Sequence, residues 1–131
     1  MDNSILASKY LLQILSQDET LQTLIPMNKI FPLIAEEDTT FPFVVFSRTG
    51  LQVDYCKDGS CDNRLTYSFI VVSDDYFESI QIANRIRYIL EDYRCKTNEV
   101  TIDPIKLQNA SEQTFNDAFL QTLEFTFNMQ N

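Results

Sequence analysis

Three stretches decide the fold: Phe41-Pro42-Phe43-Val44-Val45-Phe46, Lys57-Asp58-Gly59-Ser60, and Leu65-Thr66-Tyr67-Ser68-Phe69-Ile70-Val71-Val72. The outer two are apolar runs of strand length. The middle one is a turn, because Asp-Gly accepts positive φ at little cost. Phe43 to Thr49 is nearly continuous in apolar character, the form expected of a strand covered on both faces. Leu51, Val53 and Tyr55 then alternate with Gln52, Asp54 and Cys56, which extends the pairing into a half-exposed strand. Arg64 to Ser73 returns beside it, with Leu65, Tyr67, Phe69 and Val71 on one face. The polar segment from Gln52 to Asn63 should project beyond the sheet, move in the isolated subunit and become ordered on assembly.

Helical spacing flanks this pair. Ile5, Leu6, Tyr10, Leu11, Ile14 and Leu15 mark a first helix. Ser16-Gln17-Asp18-Glu19 has the form of a capping box for a second helical turn that Pro26 ends. Lys29-Ile30-Phe31 reads as a brief strand, and Glu36 to Thr40 as a polar loop. Behind the strand pair, Asp75 is placed to cap a long helix. Its apolar residues Tyr76, Ile80, Ile82, Ala83, Ile86, Ile89, Leu90 and Tyr93 spread over roughly 180°. One sheet needs a stripe of only about 100°. The surplus predicts a second buried contact, with the N-terminal helix or with a neighbouring subunit. Val100-Thr101-Ile102 and Ile105-Lys106-Leu107 flank a proline that marks an edge or bulge. The last strand alternates cleanly, with Phe119, Leu123, Phe125, Phe127 and Met129 on one face. This order predicts an α+β fold: one domain spanning residues 1–131, an antiparallel sheet, helices on one face and a projecting β-hairpin.

Composition excludes several functions. The 131 residues carry a net charge of -9 and scattered lysines, which argues against tight nucleic-acid binding. No apolar run approaches the ~18 residues of a membrane span, and the start of the chain lacks the basic region of a signal peptide. The chain contains no histidine, which removes Ser-His-Asp and Cys-His catalysis and the commonest metal ligand. Cys56 and Cys61 lack zinc spacing and read as turn-flanking residues, and the three cysteines suit a reducing compartment. Asp54, Asp58 and Asp62 fail as a calcium loop because Cys56 and Leu65 fall where ligands are needed. Asp74, Asp75 and Glu78 can cap a helix without binding anything. Arg48 and Arg64 can form a small basic spot, or pair with nearby acids across strands. No cofactor is expected.

The order of elements then becomes specific. Asp18-Glu19-Thr20-Leu21-Gln22-Thr23-Leu24-Ile25 follows the first helix. Lys29-Ile30-Phe31-Pro32, Phe41-Pro42-Phe43-Val44-Val45-Phe46, Tyr55-Cys56-Lys57-Asp58-Gly59 and the helix with Ile82-Ala83-Asn84-Arg85-Ile86-Arg87 come next. From about residue 4 to residue 129 this resembles the small tail-completion proteins of long-tailed bacteriophages, both tail-to-head joining and tail-terminator types. The chain departs from them at Ala35-Glu36-Glu37-Asp38-Thr39-Thr40, where family members often carry more glycine and alanine. The resemblance implies a non-enzymatic virion protein, made in the bacterial cytoplasm, that forms a ring of six at the head-proximal end of the tail. Its implied partners are its own copies, the tail tube protein and a head-completion or connector protein. Negative charge suits a ring through which DNA slides without sticking. The candidates for contact with a neighbour are Tyr55, Lys57, Asp58 and Asp62 in the protrusion, and Ile82, Ile86, Ile89 and Tyr93 on the long helix. Two other readings remain open on the residues alone: a cytoplasmic α+β protein-binding module, and a metal-dependent hydrolase built on Asp74, Asp75 and Glu78.

Overall fold

The structure is a computed structural model that describes residues 4–56, 59–98 and 100–130, with the backbone alone at 56 and 59–61. After a 3-10 turn at Ser4–Leu6 come α1 (Ala7–Ser16), α2 (Glu19–Leu24), β1 (Ile30–Pro32), β2 (Phe43–Cys56) and β3 (Gly59–Ser73). Then follow α3 (Tyr76–Leu90), β4 (Cys95–Lys96), β5 (Thr101–Ile102), β6 (Lys106–Phe115) and β7 (Ala118–Gln130). The strands form one sheet in the order β1-β2-β3-β7-β5-β4, with β6 also paired to β7. Its centre is the long antiparallel trio β2, β3 and β7. Cross-strand rows such as Phe46–Phe69–Leu123 fix their register.

Pleating sends Leu65, Tyr67, Phe69 and Val71 of β3 to the same side as Leu123, Phe125 and Phe127 of β7, and all are buried. The helices lie on that side. Ile82, Ile86 and Leu90 of α3 and Leu11 and Leu15 of α1 complete one core cluster. Its rings interlock, Phe46 stacking on Phe69 at 5.6 Å and Phe69 meeting Phe125 edge-on at 5.9 Å. Each such side chain contributes on the order of 1.5–3 kcal/mol by leaving water. Asp75 caps α3 as the sequence predicts, accepting from the amides of Phe77 (2.9 Å) and Glu78 (3.4 Å). Ser73 Oγ donates to Glu78 at 2.7 Å, so this acidic cluster is occupied in starting the helix.

The structure corrects four expectations. The sheet is mixed, not wholly antiparallel: β1 runs parallel to β2, with Ile30 opposite Val44 and Phe31 opposite Val45. Residues 33–42 carry the chain back to the end from which β1 started, so a crossover replaces a hairpin. The capping box at Ser16 and Glu19 does not form. Ser16 Oγ donates to the Gln13 carbonyl instead, and Asp18 caps α2 through the Leu21 amide at 3.3 Å. β2 is not covered by helices on both faces. Val44 and Phe46 face the helices, while Phe43 and Val45 stay half-exposed on the other side. Arg48 and Arg64 do not share a basic spot. Arg48 donates to the Ile5 carbonyl (3.2 Å) on the helix side, and Arg64 reaches Thr126 (3.4 Å) on the opposite one.

The predicted second contact of the long helix is intramolecular at its core, since α3 packs on α1 and α2 as well as on β3 and β7. Asp18 explains much of this. Its carboxylate caps α2 and also receives Arg85 of α3 through two hydrogen bonds of 2.6 and 2.8 Å. The guanidinium holds the Asp18 carboxyl below its ordinary pKa of 3.8. A single aspartate thus starts one helix and ties it to another.

A candidate assembly surface

A partner must meet atoms that the subunit leaves uncovered, so exposure sorts the candidates. Ile82 and Ile86 are fully buried and have no surface to offer. Their apolar character is spent on the subunit's own core. Ile89 is half-buried against the same core. Tyr93 is half-buried too, lining a cavity of about 400 Å³ with Tyr10, Ile14, Cys95 and Ile102. Burial and the neighbouring Cys95 push its phenol above the ordinary tyrosine range. On the outer side of α3, Phe77 and Tyr88 are about 70% exposed, and Tyr88 lies under the Arg85 guanidinium at 4.4 Å.

In the protrusion, Tyr55 is 80% exposed. Lys57 and Asp58 lie outside the described residues. The backbone on either side pairs Cys56 with Gly59, so β2 and β3 form the predicted hairpin. Asp62 stands directly across from Asp54, one row beyond Val53–Asn63. Like charges placed opposite each other destabilise a strand pair unless a cation joins them. Among the described residues no group of three or more metal-ligating side chains comes together, and no helix is long and apolar enough to cross a membrane.

The face of the sheet away from the helices was not identified from sequence. Its rows follow from the register. Phe43–Val72–Leu120 and Phe31–Val45–Ile70–Thr122 are apolar, Ser47–Ser68–Glu124 is polar, and Gln52–Arg64–Asn128 and Asp54–Asp62 carry charge toward the hairpin. Phe31 is buried there, and Phe41 stacks on Phe43 at 5.9 Å. None of Phe43, Val45, Ile70, Val72 or Leu120 belongs to the helix-side core. The signal lay in the nearly continuous apolar run of β2, whose second covered face was expected to meet another layer, and in Ile70 and Val72 of β3.

The other feature missed is β6. It pairs with β7 from Lys106–Thr126 to Phe115–Ala118, and apart from Leu107 every residue in it is exposed. Asn116 and Asp117 join the two strands with φ of 49° and 66°. This is the mirror-image two-residue hairpin turn that Asn and Asp tolerate. Asn-Asp between strand-like residues is the signal that would have found it. On the helix side of this hairpin, Glu112 accepts from Tyr76 (2.9 Å) and from Gln121 (2.9 Å). Those two donors hold its carboxyl below the ordinary range.

No family model matches the chain, and no curated protein is detectably similar to it in sequence. Solved structures are similar in shape. A chain from the virion of a native gene transfer agent (GTA) particle superposes with a TM-score of 0.75. The match covers 92% of each chain at 14% identity. A second solved chain superposes with a TM-score of 0.64 over 94% of this chain and 96% of its own, at 9% identity. At such identities the likeness establishes a shared fold from end to end.

Proposed function

We propose that this chain is a structural virion protein of a phage or prophage. In this reading it completes the tail and joins it to the head as a ring, six copies at the head-proximal end. The observation that carries the reading is the superposition on a virion chain over 92% of both lengths. It coincides with the tail-completion order of elements read independently from the sequence. The role is architectural. The partners are further copies of the chain, the tail tube protein below and a head-completion or connector protein above. Tyr55, Asp62 and the hairpin residues between them are the proposed contacts at the ring's end, with Ile89, Tyr93 and the exposed Tyr88 on the helix side. A net charge of -9 lets DNA pass such a ring without adhering to it.

The test is copy number and position in purified particles, by quantitative mass spectrometry and by labelling under the electron microscope. Six copies at the junction of head and tail are expected. Absence from that junction, or a copy number that matches the tube, would overturn the reading.

A further inference from the structure

A sheet ends where a strand has backbone donors and acceptors on one side with no strand beside them. Besides the short terminal strands β1 and β4, two longer open sides exist among the described residues. β6 pairs only with β7, leaving its outer edge open along most of Lys106–Phe115. β2 pairs with β1 only at Val44–Phe46, leaving its outer edge open from Ser47 toward Cys56. Proteins that stay monomeric blunt such edges with proline, clustered lysine or a covering loop. β6 contains no proline, and its single lysine lies at the first residue. Its side chains are mainly Gln, Asn, Ser, Glu and Thr, suited to a surface that is wet until paired.

The polarity of the two edges is complementary. β2 and β7 run one way and β3 and β6 the other, since every pairing among them is antiparallel. A second copy brought alongside in the same orientation therefore offers its β2 antiparallel to the first copy's β6. We propose that the outer edge of β6 in one copy pairs with the outer edge of β2 in the next, so that copies of this chain share one continuous sheet.

The offset between copies is constrained. Along the cross-strand rows Glu112 stands level with Gln121, Val71, Val44 and Ile30. In a level arrangement β1 of the second copy would meet the lower half of β6 and keep β2 away. Sliding the second copy by about six residues, roughly 20 Å, keeps the two faces in register, clears β1 and overlaps the two open lengths. A closed sheet requires an offset of this kind: four strands about 4.8 Å apart, tilted at 35–45°, shift by a similar amount. The slide also brings Lys106 of one copy toward Asp54 of the next on the face away from the helices. That supplies a cation to the opposed Asp54 and Asp62. Lys106 gives up only an exposed pair with Asp92 (2.6 Å), and exposed pairs contribute little. The contact is head-to-tail, so repeated copies close into a ring or grow as a filament. The inference rests on the ring reading above only for closure.

Ser111 and Gln52 are both exposed, and the offset places them beside each other across the joint. With the native cysteines replaced by serine, the double variant Ser111→Cys, Gln52→Cys is produced with its particles and oxidised. A covalent ladder ending at one closed species is expected. The two single variants should form no linked dimers alone and should form them when mixed. Particles that hold several copies but give no Ser111–Gln52 link would overturn edge pairing while leaving the virion position intact. The same holds for links that form between two Ser111→Cys copies, which signify a two-fold contact. Closed ladders in material that never reaches a tail end would do the opposite, sustaining edge pairing and removing the tail role. Each variant is checked by its unfolding midpoint, and Ser111→Ala with Gln52→Ala serves as the folded control.

Discussion

β6 and β7 belong to one hairpin, pair along nine registered positions and differ in almost everything else. β7 alternates strictly, buries Leu123, Phe125, Phe127 and Met129 under the helices, and is bonded on both sides. β6 buries no residue fully, has one open side and touches α3 at its first turn, where Tyr76 donates to Glu112. β7 is held by the core, whereas β6 is held by β7, by the turn between them and by polar contacts at Glu112 and Lys106. The hydrophobic effect accounts for the first strand. The second is a surplus that the subunit's own core does not require, which is why it is read as a joint.

Four substitutions test that contrast. Phe125→Ala, in the β7 core, should cost about 3–5 kcal/mol of unfolding free energy in urea. Gln113→Ala, on β6, should stay within about 0.5 kcal/mol of the parent. Comparable losses would mean that β6 is part of the core after all. Replacing both Ser111 and Gln113 by lysine should leave the unfolding midpoint nearly unchanged and weaken self-association at least tenfold in sedimentation, because edge lysines block strand addition. Unaltered association would remove β6 from the joint.

Arg85→Ala comes next in size. Asp18 has a depressed carboxyl pKa in the folded chain, so its contribution to stability is complete above 3.8 and is lost as pH falls through the lower folded value. The variant should therefore unfold earlier than the parent at pH 7 and converge with it in strong acid. A gap that persists at pH 2 would show that Arg85 acts through packing on Tyr88 instead of through Asp18. One further change is a gain. Asp117→Gly relieves a side chain held at φ of 66° and should add up to about 1 kcal/mol, read as a higher midpoint with unchanged assembly.

Much of the fold was legible because its decisive residues repeat locally. The two-residue period of β3 and β7, the helical period of α1 and α3 and the Asp75 cap each span only a few positions. What stayed hidden depends on contacts between distant residues. Arg85 lies 67 positions from the carboxylate that it binds, and nothing near Asp18 announces a second task. The direction of β1 depends on how residues 33–42 travel, which a three-residue strand does not encode. The wide stripe on α3 was visible and leaves out Phe77 and Tyr88, which stand exposed, but spacing alone does not say whether its surplus meets the subunit's own helices or a neighbour. β6 escaped because a polar exposed strand lacks the apolar alternation by which strands are recognised; only its turn gives it away.

The sheet face opposite the helices has one further consequence. Its rows grade from Phe43–Val72–Leu120 at one end, through serines and threonines, to Arg64 and the paired Asp54 and Asp62 at the other. A body lying across that gradient fits in one sense and not in the reverse. Turned end for end, it would press apolar surface onto two carboxylates and leave the phenylalanine end wet, at a cost of several kcal/mol. On the proposed role, this gradient writes the sense of a joint into the sheet itself.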